Sequence, residues 1–417
     1  GQKNGIFLEQ LGHQYGRFLW PEMIALFRSS RTGENQAFVY LFVNFLLFGG
    51  IATTVGATLP LVIREFGWNY LAAGWIFAGS AAGFFVSTFV TGMILPSWGG
   101  RNVMLVGLIL QGLGIGLFGC FDSLAANLII FIVLGLGQGA VEVTTNVSVV
   151  NIEAPGKSRL MNLVHSAFTV GAMIAPFLAG FLVWWDVSWR VVYIVMGFLC
   201  LCMLAWTWQA RWLHEASESS SVSNEANKRK LFCDPLLLLL SGTIFFYVGA
   251  EIGISNWIAE YFVEIHQSSA SFGALMVSVL WFGVFLGRIG ISVGYRGNQL
   301  VKLLVICSLA SFLFLGLAVW SVSIWWAGLF FFLTGMGFSI IYPCVMSIIG
   351  LKFKKGQSAA IGLVSTSGGV GVCIFPFVMS AVSEQSGLIT GFLFYWMLTA
   401  LMCICACLVI MLFKREV

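Results

Sequence analysis

Residues 156–177 read GKSRLMNLVHSAFTVGAMIAPF, and residues 356–377 read GQSAAIGLVSTSGGVGVCIFPF. At an offset of 200, Gly156, Ser158, Leu163, Val164, Val170, Gly171, Ile174, Pro176 and Phe177 recur as Gly356, Ser358, Leu363, Val364, Val370, Gly371, Ile374, Pro376 and Phe377. Just upstream, Gly135-Leu-Gly137 aligns with Gly335-Met-Gly337. A repeat of this length inside apolar sequence implies two similar bundles built on one plan. Repeats in parallel orientation place a pseudo-two-fold axis along the membrane normal.

The surrounding composition sets the class. Hydrophobic residues make up 59% of the chain and charged residues 9%, against roughly 25% charge in a soluble globular chain. The apolar residues form long runs between short polar breaks, the pattern of a polytopic membrane protein. Twelve spans are predicted, near 38–63, 70–95, 102–121, 124–149, 159–184, 190–210, 235–263, 270–294, 299–320, 323–350, 357–382 and 388–413. The expected fold is therefore an all-α membrane protein, twelve transmembrane helices in two six-helix bundles. The divisions are a tail at 1–36, a first bundle at 37–211, a solvated linker at 212–233 and a second bundle at 234–417. The linker carries a Ser-rich acidic stretch and then Lys228-Arg229-Lys230, which cannot bury enough apolar surface to fold alone.

Orientation follows from Lys and Arg. With both termini cytoplasmic, eighteen of these residues fall in inside segments, only Arg64 and Arg190 fall in outside loops, and Arg288 lies within a span. In the tail no apolar core or small-residue cleavage pattern of a signal peptide is visible. Phe7, Leu8, Leu11, Tyr15, Phe18 and Leu19 share one helical face, as a short interfacial helix broken near Pro21 would. The net charge of +4 gives no reason to expect a nucleic-acid partner. The ten Cys are scattered without a Cys-x-x-Cys pair, so small buried hydrophobes are expected rather than disulfides or a metal site. No nucleotide-cradling Gly-rich loop, His-Glu-x-x-His or Gly-x-Ser-x-Gly sequence occurs, so neither an enzyme nor a cofactor is expected.

Three charges lie deep in predicted spans: Glu142, Glu251 and Arg288. A central charge costs about 2.5–3.5 kcal/mol on an insertion scale, so such residues normally face a cavity or a partner. Glu142 shares a helical face with Gln138, Thr145 and Asn146. Glu251 has Tyr247 and Ser255 one turn either side, then Asn256 and Trp257. A carboxylate, an amide, a hydroxyl and a flat ring suit a sugar, whose hydroxyls need polar partners and whose C–H face needs an aromatic surface. In the fifth span Asn162, His165 and Thr169 share a face. The matching positions in the second half are Gly362, Ser365 and Gly369, so that polar face belongs to the first half alone. Arg288, in Gly287-Arg288-Ile289-Gly290, is expected to snorkel to the interface or to serve a gate. Pro60, Pro176, Pro343 and Pro376 should bend helices and free carbonyls.

These features resemble the major facilitator superfamily, and more finely its fucose–proton symporter branch. Gly135-Leu-Gly137-Gln-Gly139-Ala-Val-Glu142-Val-Thr-Thr-Asn146, Met161-Asn162-Leu163 and Ser339-Ile-Ile-Tyr342-Pro343 carry that likeness. Tyr247-Val-Gly-Ala-Glu251-Ile-Gly-Ile-Ser-Asn256-Trp257 looks like the related sodium- or proton-linked glucose transporters. The first-helix acid of the fucose symporters aligns with Gly56, and the loop after the second helix lacks its usual Asp. The resemblance implies a multi-pass protein of a bacterial-type inner membrane, a monomer in the lipid bilayer, importing a monosaccharide with H+ or Na+. Gln138, Glu142, Asn146, Asn162, His165, Glu251, Asn256, Trp257 and Tyr342 are the expected substrate-binding residues, with Glu142 and Glu251 as candidates for cation coupling. A proton-driven exporter of drugs or amphipathic metabolites is the alternative, and a non-transporting receptor is a third reading that the polar faces of both halves disfavour.

Overall fold

The computed structural model describes residues 33–153, 159–210, 233–294, 299–353 and 357–415. The expected interfacial helix and residues 212–232 of the expected linker lie outside the described residues. Within them the chain forms α1 (Gly33–Phe66), α2 (Tyr70–Trp98), α3 (Gly100–Gly116), α4 (Leu124–Ile152), α5 (Arg159–Trp184), α6 (Trp189–Gln209), α7 (Pro235–Glu264), α8 (Ala270–Gly294), α9 (Leu300–Val319), α10 (Ile324–Phe338), α11 (Ile341–Lys352), α12 (Gln357–Ser386) and α13 (Leu388–Arg415). Among the described residues eleven stretches are long and apolar enough to cross a bilayer, with α10 and α11 counted as one and the shorter α3 as a further apolar helix. Helices suit this solvent because each satisfies its own backbone where no water can.

Local sequence sets the helix starts. Asn69 Oδ1 accepts the Ala72 N–H at 2.8 Å, and Asp234 Oδ1 accepts those of Leu236 and Leu237 at 2.9 and 3.1 Å, with Pro235 in the first turn. Such caps satisfy donors that the first turn leaves free. Glu153, just past α4, accepts the Leu160 N–H at 2.7 Å and so fastens the start of α5.

The repeat in sequence is a repeat in space. Helix starts at 70, 100 and 124 return at 270, 300 and 324. Close approaches return with them. A Cβ placed on Gly83 would lie 2.3 Å from the Ile132 carbonyl oxygen, and one on Gly283 would lie 2.1 Å from that of Phe332. A Cβ on Gly135 would lie 2.0 Å from the Ser80 oxygen, and one on Gly335 2.2 Å from that of Leu280. Each half thus packs its fourth span on its second through the same small-residue seams. Two further pairs, α5 against α8 and α2 against α12, join the halves.

One expected span is interrupted. The predicted helix over 323–350 divides into α10 and α11 at Ser339-Ile340. Pro343 gives the reason: it has no N–H for the carbonyl four residues back, which is Ser339, and its ring crowds that carbonyl. Pro176 frees the Ala172 carbonyl in the same way without breaking α5, and the Thr53 hydroxyl donates to it at 3.2 Å. The cysteines also depart from expectation: Cys200, Cys307 and Cys344 are buried, but Cys120, Cys202 and Cys233 are exposed.

The glycine seams are testable. Gly135→Val forces a side chain into the Ser80 carbonyl and is expected to lower stability by at least the 1–3 kcal/mol typical of overpacking. Gly92, where an added Cβ meets nothing within 4 Å, should accept Ala with little change. Melting temperatures of the purified variants in detergent check this. Equal losses at both positions would contradict the packing described.

Candidate functional site

Between the two bundles the structure gathers polar side chains from α4, α5, α7, α8, α11 and α12. On α4, Asn146 is within hydrogen-bonding reach of the Glu142 carboxylate. Both are half-buried, and Asn146 Oδ1 has no partner. On α5, the half-buried His165 sets its ring edge-on to Phe45 with centroids 5.1 Å apart. One turn on, Thr169 is wholly buried. On α7, the Tyr247 hydroxyl is within hydrogen-bonding reach of the Glu251 carboxylate, one turn away. Glu251 is 6% exposed and its Oε1 has no partner. On α11 and α12 the Tyr342 hydroxyl and Ser365 Oγ lie 3.0 Å apart.

Arg288 ties these groups together. Its Nε donates to the Ser339 carbonyl oxygen at 3.1 Å, the oxygen that Pro343 leaves without a helical partner. Its Nη1 donates to Thr169 Oγ1 at 2.6 Å, which crosses from one half to the other. The guanidinium is within electrostatic reach of Glu251, Tyr247 and His165. It therefore does not snorkel to the interface as its place in the sequence suggested. It points to the middle because a planar donor fork can satisfy a free carbonyl and a hydroxyl at once. Glu142 and Tyr342, equivalent positions in the repeat, interact electrostatically across the space between the halves.

The remaining expected residues lie elsewhere. Gln138, one turn from Glu142, is buried at 8% exposure. Asn162 is exposed, one turn from His165 toward the end of the bundle where α6 stops and α7 begins. That end is the linker end, and its opposite the far end. Asn256 and Trp257 belong to a seal at the far end. Trp257 is fully buried and meets Tyr70 and Phe77 of the other half, with ring centroids 5.7 and 6.0 Å away. A Cβ on Gly56 would fall 2.6 Å from the Ser255 oxygen, and one on Gly180 2.8 Å from that of Ser271. The Tyr70 N–H donates to Glu384 Oε2 at 2.8 Å. Toward the linker end, a Cβ on Gly362 or Gly369 would meet nothing within 4 Å. The halves thus close at the far end, with the Glu142–Arg288 group on the linker side of that seal.

Sequence reasoning undervalued Arg288, Thr169, Ser365 and the backbone of Ser339. A signal for the last was present, since a proline identifies the carbonyl four residues before it. Asn44 gave only a weak one: it is fully buried in α1 and donates to Thr145 Oγ1 at 3.3 Å. Among the described residues no group of three His, Cys, Asp or Glu side chains is placed to hold a metal ion.

Residues 41–376 match the family profile described as Major Facilitator Superfamily. Over 397 residues the chain is 23% identical to bypass of stop codon protein 6 of Saccharomyces cerevisiae, covering 86% of this chain and 79% of that one. A mutant form of the nucleoside transporter NupG superposes with a TM-score of 0.75 at 12% identity, covering 91% of this chain and 100% of the other. The D-xylose–proton symporter gives 0.68 at 13% identity, over 89% and 96%.

Arg288 and Glu251 should behave as one energetic unit. Arg288→Ala is expected to lower the melting temperature, and adding Glu251→Gln should recover part of the loss. A double-mutant cycle should return a coupling of about 0.5–3 kcal/mol. Strict additivity would contradict an interaction between them.

Proposed function

The chain belongs to the major facilitator superfamily, and from that premise we propose that it imports a monosaccharide together with H+ or Na+ by alternating access. It is a membrane transporter and not an enzyme. The observation that carries the finer reading is the central group itself. Two carboxylates, two amides or hydroxyls from each half, an imidazole and a guanidinium face one another where the bundles meet. Sugars are recognised by such mixed donors and acceptors, with the half-buried Tyr342 offering ring surface nearby. Two superposing proteins, the D-xylose–proton symporter and the nucleoside transporter, are named for substrates that contain a sugar.

Glu142 and Glu251 are the proposed coupling residues. Each is one turn from a neutral partner, Asn146 or Tyr247. The proposed orientation puts the linker end and both termini in the cytoplasm, on the Lys and Arg distribution. The bacterial-type inner membrane and a monomeric state are part of the same proposal. Arg288 would position Glu251 and hold the halves together until substrate competes for its donors.

Uptake of labelled monosaccharides into proteoliposomes, with and without a pH or sodium gradient, tests this. Accumulation should require one of the gradients. A Gln at position 142 or 251 keeps the shape and hydrogen bonding of a protonated acid, so Glu142→Gln or Glu251→Gln should abolish accumulation while leaving counterflow exchange. Accumulation by both variants would remove the carboxylates from the coupling role. Gradient-driven extrusion of amphipathic compounds, with no monosaccharide uptake, would favour an exporter.

A further inference from the structure

Glu260 is a buried carboxylate that the central group does not use. It lies nine residues beyond Glu251 on α7, about 13 Å along the helix axis, and inside the far-end seal. The residue is 6% exposed, and its Oε2 has no hydrogen-bond partner. The charged and titratable groups around it come from four helices. Arg64 of α1 is exposed and within electrostatic reach, but no ion pair joins it to Glu260. Tyr70 of α2 interacts electrostatically with Glu260, with Glu264 of α7 and with Glu384 of α12. Glu264 and Glu384 are exposed. Three residues before Glu260, Trp257 carries the ring contacts to Tyr70 and Phe77 that shut the seal.

We infer that Glu260 is a second proton-binding site, which takes up a proton as the far-end seal closes and releases it as the seal opens. The inference rests on the transport reading above. An ionised carboxylate with an unpartnered oxygen is costly to bury. Glu264, one turn on in α7, adds a like charge beside Glu260 whether the seal is open or closed. Protonation of Glu260 removes its charge and supplies an O–H donor. When the halves part at this end, water solvates the carboxylate and the proton can leave. Acid should therefore favour the closed seal, and the closed-to-open ratio should fall by up to tenfold per pH unit across the titration.

Asp122 and Val322 occupy far-end loops, one in each half, at the same 200-residue offset as the repeat. Spin labels at D122C and V322C, in a background with the exposed cysteines replaced by Ser, report the width of the seal. Distances are measured in liposomes without a gradient from pH 5 to 9, at constant ionic strength. The parent should lose its short-distance population as pH rises. Glu260→Gln and Glu260→Leu should both keep it at every pH, whereas Glu264→Gln should still follow pH, with its midpoint moved to lower pH because a neighbouring like charge is gone. Glu142→Gln and Glu251→Gln should also keep the pH response while losing accumulation, which separates this site from the coupling site. A parent insensitive to pH overturns the inference. So does either Glu260 variant that still follows pH, or a seal that responds to sodium at fixed pH but not to protons.

Discussion

Arg288 and the carbonyl that Pro343 leaves unpaired form the contact on which the middle of this protein depends. A helix inside a membrane has no water to satisfy a free carbonyl. Pro343 creates such a carbonyl at Ser339 and divides the tenth span into α10 and α11. The Arg288 Nε fills that vacancy at 3.1 Å, which fixes the guanidinium at mid-bundle. Its other arm then reaches Thr169 in the opposite half at 2.6 Å. A backbone defect in one helix thereby places a cation between two bundles, next to Glu251. The pieces need one another: without the broken helix the guanidinium loses an acceptor, and without the guanidinium a buried carbonyl loses its donor.

Around that contact the two halves are alike in backbone and different in polar side chains. The glycines at 83, 135, 283 and 335 make equivalent close approaches, so the scaffold is duplicated. The residues facing the centre are not. Glu142 stands opposite Tyr342, and His165 has Ser365 as its counterpart in the repeat. A symmetric frame lets two bundles rock about one site. An asymmetric lining lets that site recognise an asymmetric ligand.

Much of the frame was legible in the sequence because a bilayer imposes length and polarity rules that apolar runs reveal directly. The predicted starts at 70, 124, 159, 235, 270 and 388 match the helices. The interruption at Ser339-Ile340 was harder to see, since neither residue breaks a helix and the cause lies at Pro343. At the site, one-face spacing correctly grouped Glu142 with Asn146 and Tyr247 with Glu251, because a helix dictates those neighbours. What spacing cannot give is which helix a long side chain reaches. Arg288 has rotatable bonds enough to snorkel or to turn inward, and only the positions of Ser339 and Thr169 decide between them. Trp257 illustrates the same limit: its place in α7 suggested a cavity wall, but packing against Tyr70 and Phe77 puts it in the seal.

The central claim is that the two bundles move as units around the Glu142–Arg288 group, with one end closing as the other opens. Its most direct measurement compares two label pairs in the same preparation. One pair, at Asp122 and Val322, spans the far end; the other, at Val150 on α4 and Leu351 on α11, spans the linker end. As the transported monosaccharide and its driving cation are added, the far-end distance should lengthen in the same fraction of molecules whose linker-end distance shortens. Both distances changing in the same sense, or neither changing at ligand concentrations that saturate binding, would contradict alternating access about this site.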